Sequence, residues 1–281
     1  MVSAISMRHA LFLLCAIVAA AALVLVGLGL ADKQAGAATD QLPDLRMVKP
    51  GRFQITNCTD TTGDCAYAGQ RQLRFKTTIV NVGNGPFEVQ GSNRDSTGVL
   101  RTVTQHIFDD TGNSRSVATK VGNDGSTAQM YYAGDVHNHW HVKNLEYYSL
   151  SSSPVLTGAK EGFCFADNTK WFKKDANGNP VTPGVPSKRV YSACANNQPN
   201  ATSVTVGLSK GWGDVYGTST HDQYIDITGL PDGTYRLTNV ADKQNWFYET
   251  NDSNNTNWVD LNIQGNQVSV TGSCKCDPPK V

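Results

Sequence analysis

After residue 40 the sequence has no cluster of basic residues, no long apolar run and no convincing stretch of helical periodicity. The first absence, together with 24 basic and 24 acidic residues and zero net charge, argues against a nucleic-acid partner. The second leaves residues 11–30 as the one candidate for contact with a membrane. The third, with no fixed-length repeat in view, turns attention to strands. Histidine is also scarce, with six in 281 residues, and three of the six fall within five positions.

The N-terminus reads as a targeting segment. Arg8 and His9 precede the apolar run "LFLLCAIVAAAALVLVGLGL", and Ala35-Gly36-Ala37 follows as an A-x-A site. A basic start, an apolar run and small residues mark an export signal. About 20 apolar residues also suffice to span a bilayer, so residues 1–37 are expected to be a signal peptide or an uncleaved N-terminal anchor, with residues 11–30 as the tether. Either way the rest is expected to be secreted or extracytoplasmic. Beyond Cys15 there are six cysteines, Cys58, Cys65, Cys164, Cys194, Cys274 and Cys276. An even number in an exported chain favours disulfides, with the connectivity open.

The exported part, about 240 residues, is long enough for one large core or two small ones. It is patterned for strands. "QLRFKTTIVNVG" (72–83) places Leu73, Phe75, Thr77 and Ile79 on one face. "QYIDITGL" (223–230) and "TYRLTNVAD" (234–242) flank the turn "LPDG", and "WVDLNI" and "QVSV" flank "QGN". Period-2 runs broken by Gly, Asn, Asp and Pro clusters predict an all-β, antiparallel sandwich with long loops, one of them at 173–189.

The clustered histidines lie in "DVHNHWHV" (135–142). On a strand, residues two apart share a face and lie about 6.5–7 Å apart, so His137, His139 and His141 would project together, away from a core face of Val136, Asn138, Trp140 and Val142. Imidazoles at that spacing can converge on one ion with each nitrogen about 2 Å away. The bland alternative is three solvated histidines. Three ligands leave a position open for water or substrate, which points to catalysis more than to a purely structural site. The spacing alone does not separate copper from zinc. No Glu-based motif accompanies the histidines, which weakens the case for a zinc hydrolase.

Further blocks follow in order: "GAKEGFCFADN" (158–168), "YSACANN" (191–197), "GWGDVYGTSTHDQYIDITGLPDGTYRL" (211–237) and "YETNDSNN" (248–255), with "PDL" near the start. With the three histidines, these blocks resemble the lysyl oxidase family of copper-dependent amine oxidases over roughly residues 43–264. The resemblance implies a catalytic domain at 43–273, preceded by a linker at 38–42 and followed by a tail at 274–281. It implies Cu(2+) on His137, His139 and His141. It also implies a lysine tyrosylquinone cofactor made by crosslinking Lys160 to Tyr216, with Asp214 as a candidate base. The substrates implied are O2 and a primary amine, such as a peptidyl lysine, which is converted to an aldehyde with release of ammonia and hydrogen peroxide. A non-catalytic secreted metal-binding module is the alternative, and the presence of both Lys160 and Tyr216 favours the enzyme.

The same resemblance implies a structural Ca(2+) site from Asp44, the Leu45 carbonyl, Glu249, Asn251, Asn254 and Asn255, all oxygen donors. Asn251 stands where the family usually has Asp, which removes a negative charge and should weaken the site; the bland alternative is an Asn-rich hairpin turn. Because both flanking blocks match, Cys164–Cys194 is the expected pair, leaving Cys58–Cys65 as a local one. Cys274 and Cys276 are one residue apart, a poor spacing for bonding to each other, and are expected to pair elsewhere or stay free. The chain departs from the animal members at Val136 and Asp222, where they carry cysteines, and at Ala159, where they carry a histidine beside the cofactor lysine.

Overall fold

The computed structural model describes residues 38–65, 67–134 and 137–281. The targeting segment at 1–37, with the apolar run and Ala35-Gly36-Ala37, lies outside the described residues, as does Val136. Residues 39–281 form one compact unit. No helix occurs among the described residues, and every strand pairing is antiparallel, as the alternating pattern predicts.

The strands form three sheets around one core. The long strand Arg71–Asn81 organises the six-stranded sheet. It pairs with Leu45–Met47 and Gly51–Asn57 on one side and with Trp212–Tyr216 and Tyr224–Asp226 on the other. Leu73, Phe75, Thr77 and Ile79 are buried as expected, but so are Gln72, Arg74 and Val80, because other chain segments cover this strand's second face. Its fully buried Arg74 is tolerated because four acceptors surround the guanidinium: the carbonyls of Thr218 (2.6 Å), Asp64 (2.9 Å) and Thr220 (2.8 Å), and Gln72 Oε1 (2.7 Å).

The five-stranded sheet has the order Leu156–Thr157, Glu146–Leu150, Gly233–Ala241, Thr256–Gln264, Gln267–Ser273. Its last two strands form the hairpin expected around "QGN". Tyr224–Asp226 and Gly233–Ala241, separated by the "LPDG" turn, do not pair with each other; the chain passes there from one sheet to the next. The eight-stranded sheet contains Met130–Ala133, His139–Lys143 and Gly162–Phe163 as neighbours.

Three disulfides are present among the described residues. Cys164–Cys194 and Cys58–Cys65 are the expected pairs. Cys274–Cys276 corrects the expectation for the last two cysteines. The backbone bends at Lys275 on leaving the last strand, which brings the two Cα atoms to 5.2 Å, inside bonding range. Residues 277–281 are anchored: Lys49 N–H donates to Asp277, and the Trp171 indole donates to the Pro279 carbonyl.

Candidate functional site

The strand holding the histidines begins at His139, not before it. His137 precedes it in a turn, and Asn138 has φ +51°, a left-handed conformation that asparagine tolerates. The three rings therefore do not converge by strict alternation on one strand face, as the spacing predicts. The kink at Asn138 swings His137 back toward the other two. Trp140 and Val142 anchor the strand in the core. The Cys164–Cys194 disulfide holds a segment that secures the same stretch, since Trp140 N–H donates to the Cys194 carbonyl and Asn197 N–H to the Asn138 carbonyl.

His137, His139 and His141 each present a nitrogen, all within 4.8 Å of one another. His139 Nε2 and His141 Nε2 are 2.8 Å apart, and ring centroids are separated by 4.7 to 5.4 Å. Nitrogens bound at about 2 Å to one ion are separated by distances of this order, so the set fits a metal. His141 is buried rather than projecting from the core face. Burial, and then the charge of Lys160, push its pKa down to about 2, which keeps the imidazole neutral, the form that coordinates. Tyr131 Oη lies 3.4 Å from His141 Nδ1 and its ring meets the imidazole edge-on, an outer contact that fixes ring orientation.

Lys160 and Tyr216, 56 positions apart in sequence, meet beside this cluster. Lys160 Nζ is 5.1 Å from the Tyr216 ring centroid and 5.2 Å from that of Phe163, and both residues of the pair are buried. Tyr216 ends the strand Trp212–Tyr216, held by pairing opposite Thr77. Lys160 lies just before Gly162–Phe163, the strand next to the histidine strand.

Asp214 sits on the same strand as Tyr216 and is buried. The Tyr216 hydroxyl is 2.9 Å from Asp214 Oδ2 and 2.5 Å from the Cys164 carbonyl oxygen. Asn168 Nδ2 donates to Asp214 Oδ1. Burial, reinforced by the nearby Glu146 charge, holds the Asp214 pKa well above the usual carboxylate range, and burial with Asp214 raises that of Tyr216. A protonated Asp214 can donate to the tyrosine oxygen while the tyrosine donates to Cys164, so both protons find acceptors. His137, His139, Asp214 and Tyr216 share an open cleft of about 630 Å³.

Two neighbours in this region were not singled out by the sequence pattern. His221 lines the same cleft, its ring 6.5 Å from that of His137 and its Nδ1 2.9 Å from the Asp222 carboxylate. Its signal was its rarity: one of six histidines, five residues after Tyr216. Glu146, buried within electrostatic reach of Lys160, had no signal, since an isolated glutamate on a strand resembles any edge charge.

Far along the sequence from the histidines, Asp44 meets the 249–255 turn. Asn254 Nδ2 donates to Asp44 Oδ2 at 3.2 Å, and Asn255 Nδ2 donates to Glu249 Oε1 at 2.9 Å. The Leu45 N–H faces this cluster and donates to Glu249 Oε2. Asp44 Oδ1, Asn254 Oδ1 and Asn255 Oδ1 are buried with no hydrogen-bond partner among the described residues. Burial raises the pKa of Asp44 and holds that of Glu249 well above its usual range. Asn251 is exposed, and its Oδ1 accepts from Ser253 N–H (2.9 Å) and Oγ (2.7 Å).

No individual curated protein matches the chain. The family model described as lysyl oxidase matches residues 116–274, more than half of the chain, and the match spans the three histidines, Lys160, Asp214, Tyr216 and the 249–255 turn. The chain therefore belongs to the lysyl oxidase family.

Proposed function

We propose that this protein is a copper-dependent amine oxidase, exported from the cytoplasm, that deaminates primary amines such as peptidyl lysine to aldehydes with release of ammonia and hydrogen peroxide. The observation that carries the reading is the 5.1 Å approach of Lys160 Nζ to the Tyr216 ring beside three converging histidines. His137, His139 and His141 would hold the copper, which would supply redox chemistry with O2, and a lysine tyrosylquinone built from Lys160 and Tyr216 would supply an electrophilic carbonyl.

The chain's own groups do the rest. The open cleft admits a side chain presented from outside. Asp214, with Oδ2 2.9 Å from the Tyr216 oxygen, is placed to take the proton from the α-carbon of a bound amine. Burial and the Glu146 charge raise its pKa, so once ionised it is a stronger base than an ordinary aspartate. Phe163, packed edge-on to Tyr216 at 5.2 Å, limits water on the inner side of the ring.

We further assign a calcium ion to Asp44, the Leu45 carbonyl, Glu249, Asn254 and Asn255. The support is three buried oxygens without hydrogen-bond partners among the described residues, a donor set that suits a hard cation.

The test of the oxidase reading is covalent. Copper-loaded, aerated protein should yield peptides around residues 160 and 216 joined together on digestion and mass spectrometry. Tyr216→Phe should stay folded, bind copper, lack the crosslink and make no hydrogen peroxide from amines. A metal-binding module without chemistry would bind copper through the same histidines and give no crosslink in the unmodified protein.

A further inference from the structure

Glu146 is a buried acid that the reading above does not use. It starts the strand Glu146–Leu150, is 2% exposed, and lines a small cavity of about 220 Å³ with Lys160 and Tyr148. The Tyr148 hydroxyl donates to Glu146 Oε2 at 2.6 Å and lies 3.0 Å from Thr77 Oγ1, which accepts from Gln223 Nε2 at 3.3 Å. Glu146 Oε1 has no hydrogen-bond partner among the described residues. The charged and titratable groups facing the carboxyl are Tyr148 on its own strand, Lys160, and Asp214 and Tyr216 on the strand Trp212–Tyr216. Glu161 and Lys243 line the same cavity.

Burying a carboxyl here costs free energy unless something charged is served by it. Covalent attachment of Lys160 requires a free amine lone pair, so an ammonium must first give up a proton. The other nearby groups are committed. Asp214 Oδ1 is held by Asn168 and its Oδ2 by Tyr216, and the histidine nitrogens face one another across the metal site. Among the described residues, Glu146 is the buried carboxyl of this cavity with an oxygen lacking a hydrogen-bond partner, while Glu161, which also lines it, is exposed and pairs with Lys143 at 3.8 Å.

We propose that Glu146 is the proton acceptor that prepares Lys160 for bonding to the oxidised Tyr216 ring; this rests on the amine-oxidase reading. The two-carbonyl form itself needs one O2 per ring at the copper site: one oxygen atom enters the Tyr216 ring, and the other leaves as water with the two hydrogens the ring and hydroxyl lose. The crosslinking step then balances as follows. Glu146 takes one proton from the Lys160 ammonium. The Nζ lone pair then forms a C–N bond to a ring carbon of the two-carbonyl form of Tyr216. Nitrogen and that carbon each lose one proton, and the two ring oxygens gain them as the ring is reduced by two electrons. O2 removes two electrons and two protons and leaves as hydrogen peroxide. Burial raises the Glu146 pKa to about 7, offset in part by the Tyr148 hydrogen bond and by Lys160, so the group exchanges a proton near neutrality.

The experiment uses the full chain expressed without copper, then given copper and air. The crosslinked peptides around 160 and 216 are followed by mass spectrometry from pH 6 to pH 10. Glu146→Gln should keep copper stoichiometry and still oxidise Tyr216. Its crosslink should form about 100-fold more slowly at pH 7 and recover at pH 10, where hydroxide replaces the carboxylate. Glu146→Asp should restore part of the rate. Tyr148→Phe removes a bond that lowers the Glu146 pKa, so the pH midpoint of crosslinking should move upward; this variant serves equally if Glu146→Gln does not fold. Normal crosslinking in Glu146→Gln at pH 7, or an unmoved midpoint in Tyr148→Phe, overturns the proposal. Loss of copper binding in both Glu146 variants overturns it too, since the residue would then be structural. No crosslink in the unmodified protein refutes the oxidase reading, and this proposal falls with it.

Discussion

Gly162 shows how closely the atoms around the histidines are set. It pairs opposite Lys143, one strand over from His141. A Cβ at this position would lie 2.7 Å from His141 Cβ and 2.6 Å from Tyr131 Cζ, closer than carbon atoms pack. Neither neighbour is the loose end of a flexible chain. His141 is buried and Tyr131 is paired opposite it in the strand Met130–Ala133. Metal ligands must be held to within about 0.5 Å of their working positions. Gly162→Ala should therefore fold yet bind copper about 10- to 100-fold more weakly, the range seen when groups around a metal ligand are disturbed. A competitive copper titration reads this directly. Unchanged affinity would mean that the strand gives way without moving the imidazole.

At the scale of elements, a buried side chain ties the turn at 217–222 to the central strand. Arg74 reaches from the strand Arg71–Asn81 to the carbonyls of Thr218 and Thr220, and so fixes the loop that brings His221 to the cleft. Lysine carries its donors at one point and cannot span both carbonyls and that of Asp64. Arg74→Lys should lower stability by about 2–4 kcal/mol. Hydrogen exchange should quicken at 217–223 more than in the strand Thr256–Gln264. Uniform quickening would show that the arginine supports the core in general rather than the loop.

This arginine also marks how far the sequence could be read. Alternation at 72–83 revealed the strand and its Leu73–Ile79 face, because period 2 depends only on neighbouring residues. It could not show that Arg74 is buried, because the acceptors come from residues 64, 218 and 220. The histidine cluster was legible as a metal set, while the kink at Asn138 that lets His137 join it was not. Lys160 and Tyr216 came from resemblance alone, since nothing local distinguishes them from other lysines and tyrosines. Glu146 and Tyr131 gain their places from strand pairing across the sheets, a long-range fact that no local pattern encodes.

At the scale of the whole molecule, the calcium assignment joins the beginning of the compact unit to its end. Asp44 precedes the strand Leu45–Met47, while Glu249, Asn254 and Asn255 precede Thr256–Gln264, some 200 residues later. Without a cation, buried oxygens of Asp44, Asn254 and Asn255 go without hydrogen bonds, and each such group typically costs about 1–3 kcal/mol. A cation bound only to the folded state adds RT ln(1 + [L]/Kd), about 2.7 kcal/mol at a hundredfold excess over Kd. For a unit of this size that corresponds to about 5–11 °C in melting temperature. Metal-free protein titrated with calcium should show this rise. Magnesium, which holds its water more tightly and demands a smaller octahedral site, should have far less effect. Asn254→Ala removes one oxygen donor and the hydrogen bond to Asp44, and should lower the melting temperature and blunt the calcium response. Asn251→Ala should leave the response intact, because its side-chain oxygen is engaged by Ser253 in an exposed turn. If melting is indifferent to calcium, or if Asn251→Ala abolishes the response while Asn254→Ala preserves it, the cluster is not the cation site.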